Sequence, residues 1–138
     1  MYPEEIVIPM KEELTENGFI ELLSPEEVEA QLAKQGTTLV MINSVCGCSA
    51  GTARPGLLMA VANAGHKPDY LTTSFAGFDI EAVNTLRRHL MPYPPSSPSI
   101  ALFKDGQLVH FIERHQIEGR PAQVIAHNLI NAFQQYCN

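Results

Sequence analysis

The run Thr38-Leu39-Val40-Met41-Ile42-Asn43 constrains the fold of this chain more than any other segment. It is short, apolar and free of polar alternation, which reads as a strand buried on both faces, as in a parallel sheet. Two cysteines one residue apart, Cys46-Gly47-Cys48, follow at once. A helical pattern then runs to about Asn63, with Leu57, Leu58, Val61 and Ala62 recurring and Gly65 ending it. Pro55 lies inside that pattern, where a kink is expected. Strand, cysteines and helix start therefore form one βα unit of an α/β protein.

The remaining elements continue the alternation. A helix is expected from about Ser24 to Gln35, where Ser24, Pro25 and Glu27 make an S-x-x-E capping box with proline at the first helical position. Asp69 to Phe75 reads as a second parallel strand. Asp79 then caps a helix through Leu90, with Phe78 and Val83 as a staple and Ile80, Val83, Leu86 and Leu90 as the buried stripe. After the proline-rich 92–98 segment, Ser99–Lys104 and Gln107–Glu113 read as a hairpin around the tight-turn dipeptide Asp105-Gly106. The last helix runs from about Arg120 to Tyr136, with Val124, Ile125, Leu129, Ile130 and Phe133 inward. A short strand at Phe19–Leu22 precedes the series. Helices crossing between strands imply right-handed parallel βαβ units, with the hairpin as an antiparallel edge.

A chain of 138 residues with 45% hydrophobic residues fits one domain, 1–138, able to bury its own core. The net charge of −6 leaves no basic face for phosphates, so nucleic acid is not an expected partner. Glu4, Glu5, Glu12, Glu13, Glu16 and Glu21 concentrate acid early, and residues 1–18 read as a solvated N-terminal arm. Met1-Tyr2-Pro3-Glu4-Glu5 has no basic or apolar leader character, and no apolar run approaches the ~20 residues of a membrane span. The expected location is the cytoplasm, with no membrane partner. Three cysteines in a reducing compartment are not a structural framework; a close pair there points to redox chemistry or metal binding.

The crevice between a strand's C-terminal end and a helix start is where sites form in open α/β sheets. Unpaired N–H groups and the helix dipole there stabilise a thiolate. No other strongly perturbing charge is visible near the pair. Gly47 lets the backbone turn so that the sulfurs meet. A bridge between them closes a ring three atoms smaller than a C-x-x-C bridge, and tighter bridges are more easily reduced. The expected reduction potential lies above thioredoxin's ~−270 mV, near or above ~−200 mV.

Metal binding is the rival reading. A closed zinc site needs four ligands, and no second C-x-C, C-x-x-C or H-x-x-x-H pair completes one. A module that only senses redox state is a third reading. Cys137 reads as a peripheral or partly buried thiol, one that protects or cross-links the pair only if the tail reaches it. His66, His89, His110, His115 and His127 are scattered and read as surface or hydrogen-bonded histidines. Arg54 either holds an anionic substrate or is simply solvated.

Ser97-Pro98-Ser99-Ile100-Ala101-Leu102-Phe103-Lys104-Asp105-Gly106 resembles the thioredoxin-fold segment in which a cis-proline precedes a strand and faces the cysteines. That segment, Asn43-Ser44-Val45-Cys46-Gly47-Cys48-Ser49-Ala50-Gly51, and Ile112-Glu113-Arg114-His115-Gln116-Ile117-Glu118-Gly119-Arg120 together resemble the bacilliredoxins. The resemblance runs from Phe19 to the last helix. It implies a thioredoxin-like fold without cofactor, and removal of bacillithiol, a small cysteine-containing thiol, from mixed disulfides on oxidised client proteins. It further implies that Cys46 attacks and Cys48 resolves, supported by Gly47, Ser97 and a cis Pro98. Disulfide isomerase-type activity is the alternative. Val45 before the first cysteine, no acid in the strand and no Trp set the chain apart from thioredoxins proper. Nothing in the sequence explains what the Glu113–Arg120 segment contributes to chemistry.

Overall fold

Alternate residues of one strand feed two separate cores. In the computed structural model, which describes residues 1–138, β2 (Thr37–Asn43) is buried along its whole length. Leu39 and Met41 join a cluster with Leu57, Ile125, Leu129 and Phe133, whereas Val40 and Ile42 join one with Val28, Val83 and Leu86. The period of two in a strand does this. β4 (Ser99–Lys104) repeats it, with Ile100 and Leu102 on the first face and Ala101 and Phe103 on the second. A strand with no solvent face must read as a continuous apolar run, as the sequence does.

The sheet has five strands in the order β1-β3-β2-β4-β5. β1 (Ile20–Glu21) and β2 both run parallel to β3 (Tyr70–Phe75), while β4 is antiparallel to β2 and to β5 (Gln107–Ile112). Asp105 and Gly106 both take positive φ, 50° and 81°, as a tight hairpin turn requires. The helices α1 (Glu4–Thr15), α2 (Pro25–Leu32), α3 (Arg54–Asn63), α4 (Ile80–His89), α5 (Arg114–Ile117) and α6 (Ala122–Tyr136) flank it. Ser24 caps α2 by accepting the Glu27 N–H, and Glu27 returns the bond by accepting the Leu23 N–H.

Several expectations need correction. Residues 1–18 are not a solvated arm: most of them form α1, which buries Val7 and Leu14 and ties Lys11 to Glu21 and Asp79. Pro55 does lie inside a continuous helical run, 47–63, but the irregularity takes a particular form. The irregularity before it is a π-helical turn, Ser49–Ala53. Asp79 precedes α4, but its carboxylate accepts the Phe75 N–H and pairs with Lys11 instead of capping the helix. Ile80, Val124 and Ala62 face solvent. No helix is long and apolar enough to cross a membrane.

Candidate active site at the end of β2

β2 ends at Asn43, and its side chain organises the turn that follows. Asn43 Oδ1 accepts the Ser44 N–H at 2.8 Å, the Ser49 hydroxyl at 3.0 Å and Arg54 Nη1 at 2.8 Å. Its Nδ2 donates to the Met10 carbonyl of α1. Ser44 Oγ then accepts the Cys46 N–H at 3.0 Å. The Cys46 carbonyl takes the first helical bonds, from the N–H groups of Ser49 and Ala50. Cys46 thus opens the helical run, and its Sγ accepts the Cys48 N–H at 3.4 Å. Gly47 is exposed, and a side chain built on it would meet nothing within 4 Å. Its smallness is not required by packing.

The two sulfurs lie 2.7 Å apart, both as free thiols, and each is half-buried. The contact divides their acidity. The hydrogen bond from the Cys48 thiol lowers the Cys46 pKa, opposed by partial burial and helped by the Cys48 and Ser49 N–H groups and by the charge of Arg114. Cys48 is pushed up to about 11, first by burial and then by its bond to Cys46 and the Cys46 charge. The direction at Cys46 is that of a helix start, but the first cause is the second cysteine. Arg114, far along the chain, supplies a charge that sequence reading did not see.

Arg54 neither holds a ligand nor is solvated. It is 1% exposed, donates from Nη1 to Asn43, the Ser44 carbonyl and Ser49 Oγ, and pairs from Nη2 with Glu13 at 3.1 Å. It fastens α1, the end of β2 and the turn carrying the cysteines into one polar hub. The Ser97–Pro98 bond is cis, and so is Met91–Pro92, which the sequence reading passed over.

A family model described as "Disulphide isomerase" matches residues 2–137. The chain is 59% identical over 135 residues to the bacilliredoxin of Cytophaga hutchinsonii, covering 98% of this chain and 99% of that protein. It is 52% identical to a bacilliredoxin of Halalkalibacterium halodurans, covering 99% and 94%. The chain belongs to the bacilliredoxin family. Among solved structures it is similar to the oxidised thioredoxin of Plasmodium falciparum, with a TM-score of 0.58 at 14% identity over 83% of this chain and 97% of that one. A thioredoxin of Halobacterium salinarum gives 0.59 at 13% identity, over 88% and 93%. At such identity these structures establish a thioredoxin-like fold and no more.

As a bacilliredoxin the chain is a thiol–disulfide oxidoreductase. Its third cysteine stands apart from the site. Burial pushes the Cys137 thiol up, and the groups that act on it are Thr37 at the opposite end of β2, Asp69 and Lys104. β2 has seven residues, which places Cys137 roughly 20 Å from the active-site end at ~3.3 Å per residue. The tail does not reach the pair. No three His, Cys, Asp or Glu side chains of the chain converge.

Proposed function

We propose that this bacilliredoxin removes bacillithiol from mixed disulfides on oxidised client proteins, in the cytoplasm and without a bound cofactor, by attack from Cys46 and resolution by Cys48. The observation that carries this reading is the pair of sulfurs 2.7 Å apart, one acidified and the other held protonated. Only a thiolate attacks a disulfide, and the stronger acid of the two is at the helix start. The Cys46 thiolate attacks the small-thiol sulfur of the mixed disulfide. The client–small-thiol S–S bond breaks, a Cys46–small-thiol bond forms, and the client leaves as a thiolate that takes a proton from solvent.

The second step follows from the first. While Cys46 is anionic, its charge and hydrogen bond hold the proton on Cys48. Once Cys46 is bonded to the small thiol, both effects vanish, and burial and the Glu118 charge, opposed by Arg114, are what still act on Cys48. Cys48 then loses its proton to solvent and attacks the Cys46 sulfur. The small thiol leaves and the Cys46–Cys48 bridge remains, to be reduced by another thiol.

The test uses one model client carrying bacillithiol, glutathione or coenzyme A, with adducts located by mass spectrometry. Cys46→Ala is expected to be inert, and Cys48→Ala to open the bond and accumulate a bacillithiol adduct on Cys46. An adduct on Cys48 or Cys137 reverses the roles, and faster release of glutathione or coenzyme A overturns the thiol assigned. The family description favours isomerisation as a second reading. That reaction needs only attack and return by one sulfur, so a Cys48→Ala protein that still reshuffles a scrambled client supports it.

A further inference from the structure

The segment Glu113–Arg120 braces the site from a third side. Glu113 and Gln116 cap α5 reciprocally, and Ile117 is fully buried. The Arg120 carbonyl accepts the Thr52 hydroxyl at 2.7 Å, joining the segment to the π-turn behind the cysteines. At its other end the Arg114 N–H reaches Ser96 Oγ at 3.5 Å, and Arg114 Nη1 donates to the Ser97 carbonyl at 3.3 Å, just before the cis-proline. Arg114 Nε donates to Glu118 at 2.9 Å. The guanidinium is held by two of its nitrogens, while Nη2 makes no hydrogen bond within the chain and the side chain is 43% exposed.

We propose that Arg114 is a specificity-determining residue of the exchange reaction: gripped by the Ser97 carbonyl and Glu118, it presents a fixed cation beside Cys46 that favours disulfides whose small-thiol half carries carboxylates. The inference rests on the exchange chemistry assigned to Cys46. Ser99 of β4 pairs with Ile42 of β2, so the Ser97 carbonyl that holds Arg114 stands next to the cysteine-bearing turn that follows β2, and the charge of Arg114 is felt at both sulfurs. A planar guanidinium with free donors matches a carboxylate. Glu118 faces the same sulfurs with the opposite sign. Arg114 therefore works against its own anchor, and removing the Glu118 charge strengthens its pull.

Alkylation isolates this effect. The Cys46 thiolate displaces iodide from iodoacetate, an anion, or from neutral iodoacetamide, and the ratio of the two rates at one pH cancels the thiolate fraction. In reduced protein carrying Cys137→Ala, Arg114→Gln is expected to lower the iodoacetate-to-iodoacetamide ratio about threefold, the scale of one partly solvated charge pair. Arg114→Lys should keep most of the ratio, and Glu118→Gln should raise it. With the parent protein, 0.5 M salt should lower the ratio toward the Arg114→Gln value at about the same scale, which gives a reading even if a variant fails to fold. In turnover, Arg114→Gln should lose preference for a glutathione over a cysteamine mixed disulfide through KM. An unchanged ratio in Arg114→Gln, or one indifferent to salt in the parent, overturns the proposal. A parent that keeps the ratio but does not release bacillithiol overturns only the function proposed above.

Discussion

Arg54 and Asn43 carry the site's polar load together, and their removal is not equivalent. Arg54→Met keeps a long apolar stem in place and leaves Asn43 Oδ1 with two donors, the Ser44 N–H and the Ser49 hydroxyl. Glu13, 46% exposed, is left to water. The expected cost is that of lost hydrogen bonds to a charged group, about 1.5–3 kcal/mol. Asn43→Leu instead removes one acceptor from the buried Ser44 N–H, the Ser49 hydroxyl and Arg54 together. Although Arg54 keeps the Ser44 carbonyl, Ser49 Oγ and Glu13, each buried donor left unsatisfied costs about 1–3 kcal/mol. Urea denaturation of the reduced proteins checks the order, and an Asn43→Leu protein more stable than Arg54→Met refutes this account of the hub. The cysteine pair was legible because its meaning is local: an apolar run, two thiols and a helix start are contiguous. Arg54 was not, because the π-turn before it inserts an extra residue and shifts its face on the helix. Arg114 was not either, because nothing local joins a residue after the hairpin to the Cys46 sulfur.

Between elements, α3 and α6 approach closely behind the site. A Cβ on Gly56 would stand 2.8 Å from both the Ala122 carbonyl oxygen and Ile125 Cβ. Gly56→Ala gains about 1 kcal/mol of helix propensity but forces the two helices apart, with an overpacking cost of about 1–3 kcal/mol. The net expectation is destabilisation. Gly51→Ala, whose Cβ would meet nothing within 4 Å, serves as the control and should be neutral or stabilising. Equal urea midpoints for the two variants would remove the steric argument. Most elements were legible from period and punctuation: the β2 run, the Ser24 capping box and the Asp105-Gly106 hairpin all lie where expected. α1 was missed because only Val7 and Leu14 of its twelve residues are buried, while Ile6 and Ile8 are exposed and Pro9, a residue that argues against a helix, stands inside it. Its acids hide a role that is tertiary: Glu13 serves Arg54, and the Met10 carbonyl serves Asn43.

For the molecule as a whole, the redox state of the cysteine pair and the stability of the fold are linked by one thermodynamic cycle. A Cys46–Cys48 bridge closes a small ring in folded and unfolded chains alike, so its intrinsic strain raises the potential of both and drops out of the folding difference. What the fold adds acts on the reduced state, where Cys46 is acidified and Cys48 is kept protonated. The oxidised protein has neither proton to lose, and Cys137→Ala removes the third thiol from the comparison. Unfolded cysteines titrate near ~8.5. Cys46, depressed in the fold, adds stability that is fully present above that value and is lost as pH falls through its folded midpoint. Cys48, raised to about 11, favours the fold below ~8.5, and that advantage is lost as pH climbs from there toward 11. Between the Cys46 midpoint and ~8.5 the unfolded chain binds one proton more than the folded one, and above ~8.5 one fewer. The stability of the reduced protein minus that of the oxidised protein should therefore rise with pH, peak near ~8.5 and fall again. Paired urea denaturations at intervals from pH 5 to 11 measure that difference directly. A difference that is flat, or that falls throughout, would mean that the fold does not divide the protons between the two sulfurs, and the sequential roles assigned to Cys46 and Cys48 would lose their physical basis.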